Sequence, residues 1–303
     1  IDNNKMDLQR VAKIGAEGVI LMISDSTNAE KEGMSLSETK VASNLEREIY
    51  QATGLTVVST FASSLPRVQS IFTIAKKLNK KILILGNSME RNRKLAKNTG
   101  YLEIDTELII SIKKFNDYPR EEILVLATGA QGEILAALSK LASDVYEEIK
   151  LQENDTVIFS SGVIPGNEKS IGSLINGLVK RGVKVVKKSE IHTTGHGYQE
   201  EIKLMISLLN PKYLMPAHGE YRMLMKQKEL AMTLGIKGEN IFICENGDVI
   251  EIDNNGGQIT ENIGNIPVLV DNSGLGDVNY NVMKDRTRMA EQGIMVVQVK
   301  HFK

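Results

Sequence analysis

The chain of 303 residues carries 37 Lys and Arg against 38 Asp and Glu, a net charge of −1, with 42% apolar and 25% charged residues. That length holds about two domains, and the balanced charge excludes a bulk electrostatic pull toward nucleic acid or anionic lipid, so any nucleic-acid ligand needs a local groove. The single cysteine, Cys244, excludes a disulfide framework and a cysteine-rich zinc knuckle; with no apolar run near the roughly 18 residues of a membrane span and no signal peptide in view, the expectation is a cytoplasmic protein without membrane contact.

In chain order, Met6, Leu8, Val11, Ala12 and Ile14 have helical spacing over residues 6–16. Gly18-Val19-Ile20-Leu21-Met22-Ile23 is a short apolar run that reads as a buried strand. It ends in Ser24-Asp25-Ser26-Thr27-Asn28-Ala29-Glu30. An acid followed by hydroxyls at the carboxyl end of a buried strand is where open α/β folds place chemistry, and equally where Asp25 or Ser26 merely caps a turn; both readings stand at this point. From Ser37, suited to cap a helix that runs to about Thr53, strands and helices alternate. Strands are expected at Leu55–Thr60, Lys81–Gly86, Ile123–Ala127, Thr156–Phe159 and Val183–Lys187. Helices are expected at Leu65–Asn79, opened by Pro66, at Met89–Thr99, from the 128–133 turn to Ala142, and up to Lys180. Such alternation implies a parallel sheet with crossover helices, three layers deep.

Beyond these lie helices at Gln199–Leu209 and Glu220–Leu234, with a strand at Lys212–Pro216 between them. Phe242-Ile243-Cys244 and Asp248–Ile252 flank Glu245-Asn246-Gly247 as an expected hairpin. Residues 253–265 read as a polar, glycine-rich linker. Val268-Leu269-Val270 and Ile294–Val299 read as strands, with Lys284–Gln292 helical between them.

Three strand-to-helix turns carry glycine and hydroxyls: Gly86-Asn87-Ser88, Thr128-Gly129-Ala130-Gln131-Gly132 and Ser160-Ser161-Gly162. No Walker Gly-Lys-Ser/Thr and no dinucleotide Gly-x-Gly-x-x-Gly occurs among them. On one edge of a parallel sheet, helix N-termini at such turns offer N–H groups to an anion, and three together favour a phosphate-bearing ligand. Three of the four histidines, His192, His196 and His218, sit in the glycine-flanked segments Ile191–Glu201 and Met215–Tyr221. Histidine is the commonest metal ligand and the usual acid or base near neutral pH, so this clustering marks the candidate chemistry.

Ser24–Glu30, Thr128–Glu133 with Ala136-Ala137-Leu138-Ser139, Ile164-Pro165-Gly166-Asn167-Glu168, Thr194-Gly195-His196-Gly197 and Pro216-Ala217-His218-Gly219-Glu220-Tyr221 follow one another in the order seen in bacterial ribonuclease J, which the chain resembles over nearly its whole length. The resemblance implies an α/β chain: a partial metallo-β-lactamase αββα sandwich with an inserted β-CASP domain built on a parallel sheet flanked by helices. The β-CASP domain would be residues 36–190. Residues 1–35 and 191–252 would belong to the metallo-β-lactamase domain, and 253–303 would be linker and terminal strands. It further implies a metallo-hydrolase that degrades RNA 5′ to 3′ and also cuts internally, at a site of two zinc ions (Mn²⁺ or Mg²⁺ being the other metals in view). Its substrate would be single-stranded RNA with a 5′-monophosphate, and the full-length protein would pair with itself or a paralogue. By the same resemblance Asp25 and His196 are the catalytic pair, the acid orienting the ring, and His218 is a metal ligand. Thr194 with Ser160, Ser161 and Gly162 would hold the 5′-phosphate, with His192, Gly129 and Gln131 as further RNA contacts.

The departures are specific. The family's His-x-His-x-Asp-His motif is absent from these residues, and the chain begins at Ile1 rather than Met. One metal ligand cannot hold two zinc ions when each wants about four donors. The expectation is therefore a piece of a longer enzyme, inactive by itself. Ser64, Pro66 and Asn87 stand where the family usually has Asn, His and Arg, and Thr194 replaces a usual Ser. Two other readings follow from the same residues: a non-catalytic RNA-binding subunit of a degradation complex, and an α/β enzyme of metabolism acting on a small phosphorylated substrate.

Overall fold

The computed structural model describes residues 6–164 and 166–265, and further along 270–271, 274–275, 280–293 and 295. They divide between two compact units, Ile1–Ile241 and Phe242–Lys303. In the first unit the elements run α1 (Leu8–Glu17), β1 (Leu21–Asp25), α2 (Glu38–Tyr50), β2 (Thr56–Ser59), α3 (Leu65–Lys77), β3 (Lys81–Leu85), α4 (Asn87–Asn98), β4 (Ile109–Ile110) and β5 (Ile123–Ala127). They continue with α5 (Ala137–Ala142), β6 (Thr156–Phe159), α6 (Glu168–Val179), β7 (Lys184–Val186), α7 (Gln199–Leu209), β8 (Tyr213–Ala217) and α8 (Tyr221–Thr233).

The five strands between residues 81 and 186, together with β2, sort into one parallel sheet in the order β4-β3-β5-β2-β6-β7. Parallel strands need crossover helices, and those helices bury both sheet faces. The period-2 pleat divides the strand residues accordingly. Val57, Val125, Val157 and Phe159 pack on one face with Leu138 and Leu141 of α5 and Leu178 of α6. Val58, Leu124, Leu126 and Ile158 pack on the other with Leu45 and Ile49 of α2, Val68, Ile71 and Phe72 of α3, and Met89 of α4. Every residue of β5 is buried, as a central strand covered twice must be. Ser37 caps α2, its side chain accepting the Lys40 N–H at 3.1 Å.

A second, two-stranded sheet pairs β1 with β8 in parallel, Asp25 opposite Ala217. Here the expectation of a buried strand is corrected. Met22 is buried, but Ile20 and Ile23 are exposed. With two strands in the sheet among the described residues, Ile23 is left open to solvent. The strand also starts late, because Gly18 turns left-handed (φ +101) to end α1. α5 is shorter than expected for a related reason: Gly129 and Gly132 both have positive φ, so the chain stays in turns until Leu138 N–H bonds Thr128 O at 2.9 Å.

The second unit contains β9 (Asp248–Ile252), β10 (Gly257–Asn262), β11 (Val270–Asp271), β12 (Gly274–Leu275) and α9 (Tyr280–Gln292). The hairpin is not the expected one. β9 pairs antiparallel with β10 across Asp253–Gly256, and 257–262 is strand rather than linker. The turn chemistry explains the choice: the Asp253 carboxylate accepts the N–H groups of Asn255 (2.7 Å) and Gly256 (3.0 Å). In the first unit Ile241 makes a parallel bridge to Leu214 of β8. Pro165, His301, Val268-Leu269 and most of the strand expected at Ile294–Val299 lie outside the described residues. Among the described residues no helix is long and apolar enough to cross a membrane.

Candidate active site

The register of β1 against β8 brings the two catalytic-looking segments together. Both strands end at the same edge, so Asp25, the last residue of β1, lies opposite Ala217 and next to His218. Ser26 locks this junction, its N–H (2.9 Å) and hydroxyl (2.7 Å) both donating to Ala217 O. The Thr27 hydroxyl donates to His218 O at 2.6 Å and lies 2.9 Å from His218 Nδ1. His218 has φ +54, a left-handed conformation that costs a non-glycine residue energy and concentrates at functional sites.

The third member arrives from the loop before α7. His196 Nδ1 is 2.8 Å from Asp25 Oδ2, and His218 Nδ1 is 3.0 Å from the same oxygen. The two rings stack with centroids 5.2 Å apart. Asn28 steadies the loop, donating to His196 O at 3.1 Å. Farther along, Glu201 accepts from the Tyr198 N–H and from the backbone and hydroxyl of Ser35, tying the start of α7 to the segment after β1. Burial acts to raise the Asp25 carboxyl, but the Thr27 N–H and the His196 ring outweigh it and hold Asp25 below the ordinary carboxylate range.

With His196 Nδ1 hydrogen-bonded to Asp25 and His218 Nδ1 held by the Thr27 hydroxyl close to the same carboxylate, each ring is left to present Nε2. A carboxylate that fixes the far nitrogen of an imidazole is the usual support of a zinc-binding histidine. One donor atom each from Asp25, His196 and His218 lies within 4.8 Å of the others. The donor chemistry thus fits a zinc-type ion, with His218, 70% exposed, the ring most open to it.

A second cluster lies at the carboxyl edge of the six-stranded sheet. Ser161 Oγ and His192 Nδ1 are buried without a hydrogen-bond partner. Gly162 lies against the His192 ring, since a Cβ there would stand 3.0 Å from Nε2. Burial, then the charges of Arg67 and Lys31, lower the His192 pKa to about 4. Two orphaned polar atoms in a surrounding that disfavours a further positive charge suit an anion. Thr194 stands between the clusters, its hydroxyl accepting the His196 N–H at 3.2 Å.

The other expected residues are committed elsewhere. The Ser160 hydroxyl is buried and donates to Ile191 O at 2.7 Å. Gln131 spans two loop groups, donating to Gly162 O (2.7 Å) and accepting from the Ile164 N–H (2.8 Å), so it braces the Gly162 loop. Gly129 is needed for packing: a Cβ there would meet Ala136 Cβ at 2.8 Å. Thr27, Asn28, Lys31 and Arg67 were not singled out from sequence. Thr27 and Asn28 sit inside the Ser24–Glu30 segment and were findable there; Arg67 sits in a helix whose periodicity signals only packing.

Two family models match: the ribonuclease J β-CASP domain over residues 53–178, and the RNA specificity domain of Zn-dependent metallo-hydrolases over residues 183–244. Ribonuclease J2 of Bacillus subtilis is 36% identical over 298 residues, covering 98% of this chain and 54% of the relative. Ribonuclease J 1 of Streptococcus pyogenes is 41% identical over 292 residues, 96% of this chain and 52% of the relative. Ribonuclease J of Synechocystis is 40% identical over 299 residues, 98% and 46%. The chain thus spans about half the length of the curated relatives it matches. Long, ordered identity of this kind, laid over a parallel-sheet domain and a histidine–aspartate cluster that suits zinc, means that the chain belongs to the ribonuclease J family.

Proposed function

We propose that this chain is the 5′-end-binding and proton-donating part of an RNA-degrading and RNA-processing metallo-hydrolase, which works 5′ to 3′ from a 5′-monophosphate and also cuts internally. The observation that carries the reading is the 2.8 Å contact of Asp25 with His196 beside His218. When bound, two zinc ions supply an activated water and neutralise charge on the phosphoryl oxygens. His218 is the residue that would hold metal. His196, fixed at Nδ1 by Asp25, directs Nε2 at the leaving 3′-oxygen and gives it a proton. Asp25 keeps that ring in one tautomer and steadies its charged form. Ser161, Gly162, His192 and Thr194 bind the 5′-phosphate through hydroxyls and ring nitrogen, which reconciles a balanced net charge with an RNA substrate.

Among the described residues the cluster that could hold metal is Asp25, His196 and His218, and with Asp25 and His196 given to proton transfer it leaves fewer donors than a two-zinc site takes. These 303 residues alone therefore bind RNA ends without cutting them. In a polypeptide carrying the remaining donors, His218→Ala lowers bound zinc, measured by elemental analysis. His196→Ala leaves zinc in place and slows cleavage about 10²–10⁴-fold, the usual worth of a general acid. Equal zinc loss in both variants would overturn this division of roles. Binding of unphosphorylated RNA as tightly as 5′-phosphorylated RNA would sink the pocket. Normal RNA binding by a native full-length protein that carries no zinc would favour a non-catalytic subunit instead.

A further inference from the structure

We propose that Arg67 is a positioning residue that sets the 5′-phosphate pocket in register with the Asp25–His196 pair; this rests on the reading of Ser161 and His192 as that pocket. Arg67 lies in α3, and its side chain is 1% exposed. Its Nε and Nη2 grip both carboxylate oxygens of Glu38 at 3.0 and 3.1 Å. Nη1 donates to Ser160 O at 3.2 Å, to Ile191 O at 3.1 Å and to the Ser160 hydroxyl.

The partners are informative by their place in the chain. Glu38 opens α2, where the segment descending from Asp25 enters the six-stranded domain. Ser160 precedes Ser161 and Gly162. Ile191 precedes His192 and the loop to His196. One planar guanidinium thus holds the three chain segments that carry the pocket and the histidine–aspartate pair. A lysine ammonium, a point charge without the fork, cannot grip a carboxylate at both oxygens and two carbonyls together. A largely buried ion pair contributes little net stability compared with apolar packing, so stability alone is a weak reason for this one. Its contacts fall on backbone adjoining the pocket, where a shift of the guanidinium moves Ser161 and His192 relative to each other.

The test compares binding of two short single-stranded oligoribonucleotides, identical except for a 5′-monophosphate or a 5′-hydroxyl, to the 303-residue chain by fluorescence anisotropy. Wild type should prefer the phosphorylated strand about tenfold or more, in line with charge-assisted hydrogen bonds to phosphate. Arg67→Lys should lose most of that ratio, while affinity for the 5′-hydroxyl strand stays within about twofold. Glu38→Gln keeps the guanidinium but loosens its fork, and should give an intermediate ratio; it carries the test if Arg67→Lys does not fold by circular dichroism. An unchanged ratio in the folded variants overturns the positioning role and leaves the pocket standing. No 5′-phosphate preference in wild type overturns the pocket and this inference with it.

Discussion

His192 is a neutral ring in a place that resists charging it, and that has a consequence for pH. Burial, followed by Arg67 and Lys31, lowers its pKa from 6.5 to about 4. Below pH 6.5 the unfolded chain takes up a proton on this ring that the folded chain refuses until about pH 4. Stability contributed by the neutral ring is full above pH 6.5 and is lost as pH falls through that window. Partial solvent access limits the loss to about 1–2 kcal/mol. Denaturant titrations at pH 7 and pH 4.5 should show this extra loss in wild type and not in His192→Asn. Equal losses in the two proteins would show that the ring is protonated in the fold. Residues of this kind differ in how far sequence reveals them. His196 and His218 stand out because histidine is scarce here and flanked by glycine, whereas Asp25, an acid at the end of an apolar run, reads equally well as a turn cap. Arg67 does not stand out, because its value lies in carbonyls from segments far along the chain.

Among the elements, β2, β6 and their connection depend on one buried carboxylate. Asp155 is 1% exposed and accepts the N–H groups of Leu55 (2.9 Å) and Gln152 (2.8 Å) while pairing with Arg120. Asp155→Ala leaves two donors without an acceptor where the strands begin. It should cost about 3 kcal/mol in a denaturant melt, and Asp155→Asn, which keeps one acceptor oxygen, about 1–2 kcal/mol. A loss under about 1 kcal/mol for the alanine variant would mean that water replaces the carboxylate. The strands of this sheet were legible because a doubly covered parallel strand is a short unbroken apolar run. Their order was not, since hydrophobicity does not say which run sits beside which. The run before Asp25 misled, because apolar content reads as burial whether or not a neighbouring layer is present. The hairpin in the second unit was misplaced for another reason. Glu245-Asn246-Gly247 and Asp253–Gly256 are both good turn sequences, and the carboxylate of Asp253 decided between them.

For the whole molecule, the six-stranded domain has apolar residues packed on both sheet faces. In Phe242–Lys303 most described side chains of β10 and α9 are exposed. Regions with few buried apolar contacts open at low cost. Limited proteolysis should therefore cut within 242–303 first and leave a protected fragment containing residues 36–190. Early cuts inside 56–186 with 242–303 intact would reverse this picture. The pairing of β1 with β8 bears on how the protein is made. The bond between Thr27 and His218 spans 191 positions of sequence. A ribosome releases Asp25 long before it has synthesised His218, and the whole parallel-sheet domain emerges in between. Contacts of such separation form late, after intervening structure has shortened the loop to be closed. The histidine–aspartate cluster is thus absent from the nascent chain until the sheet is assembled, and its geometry is among the last features the fold acquires.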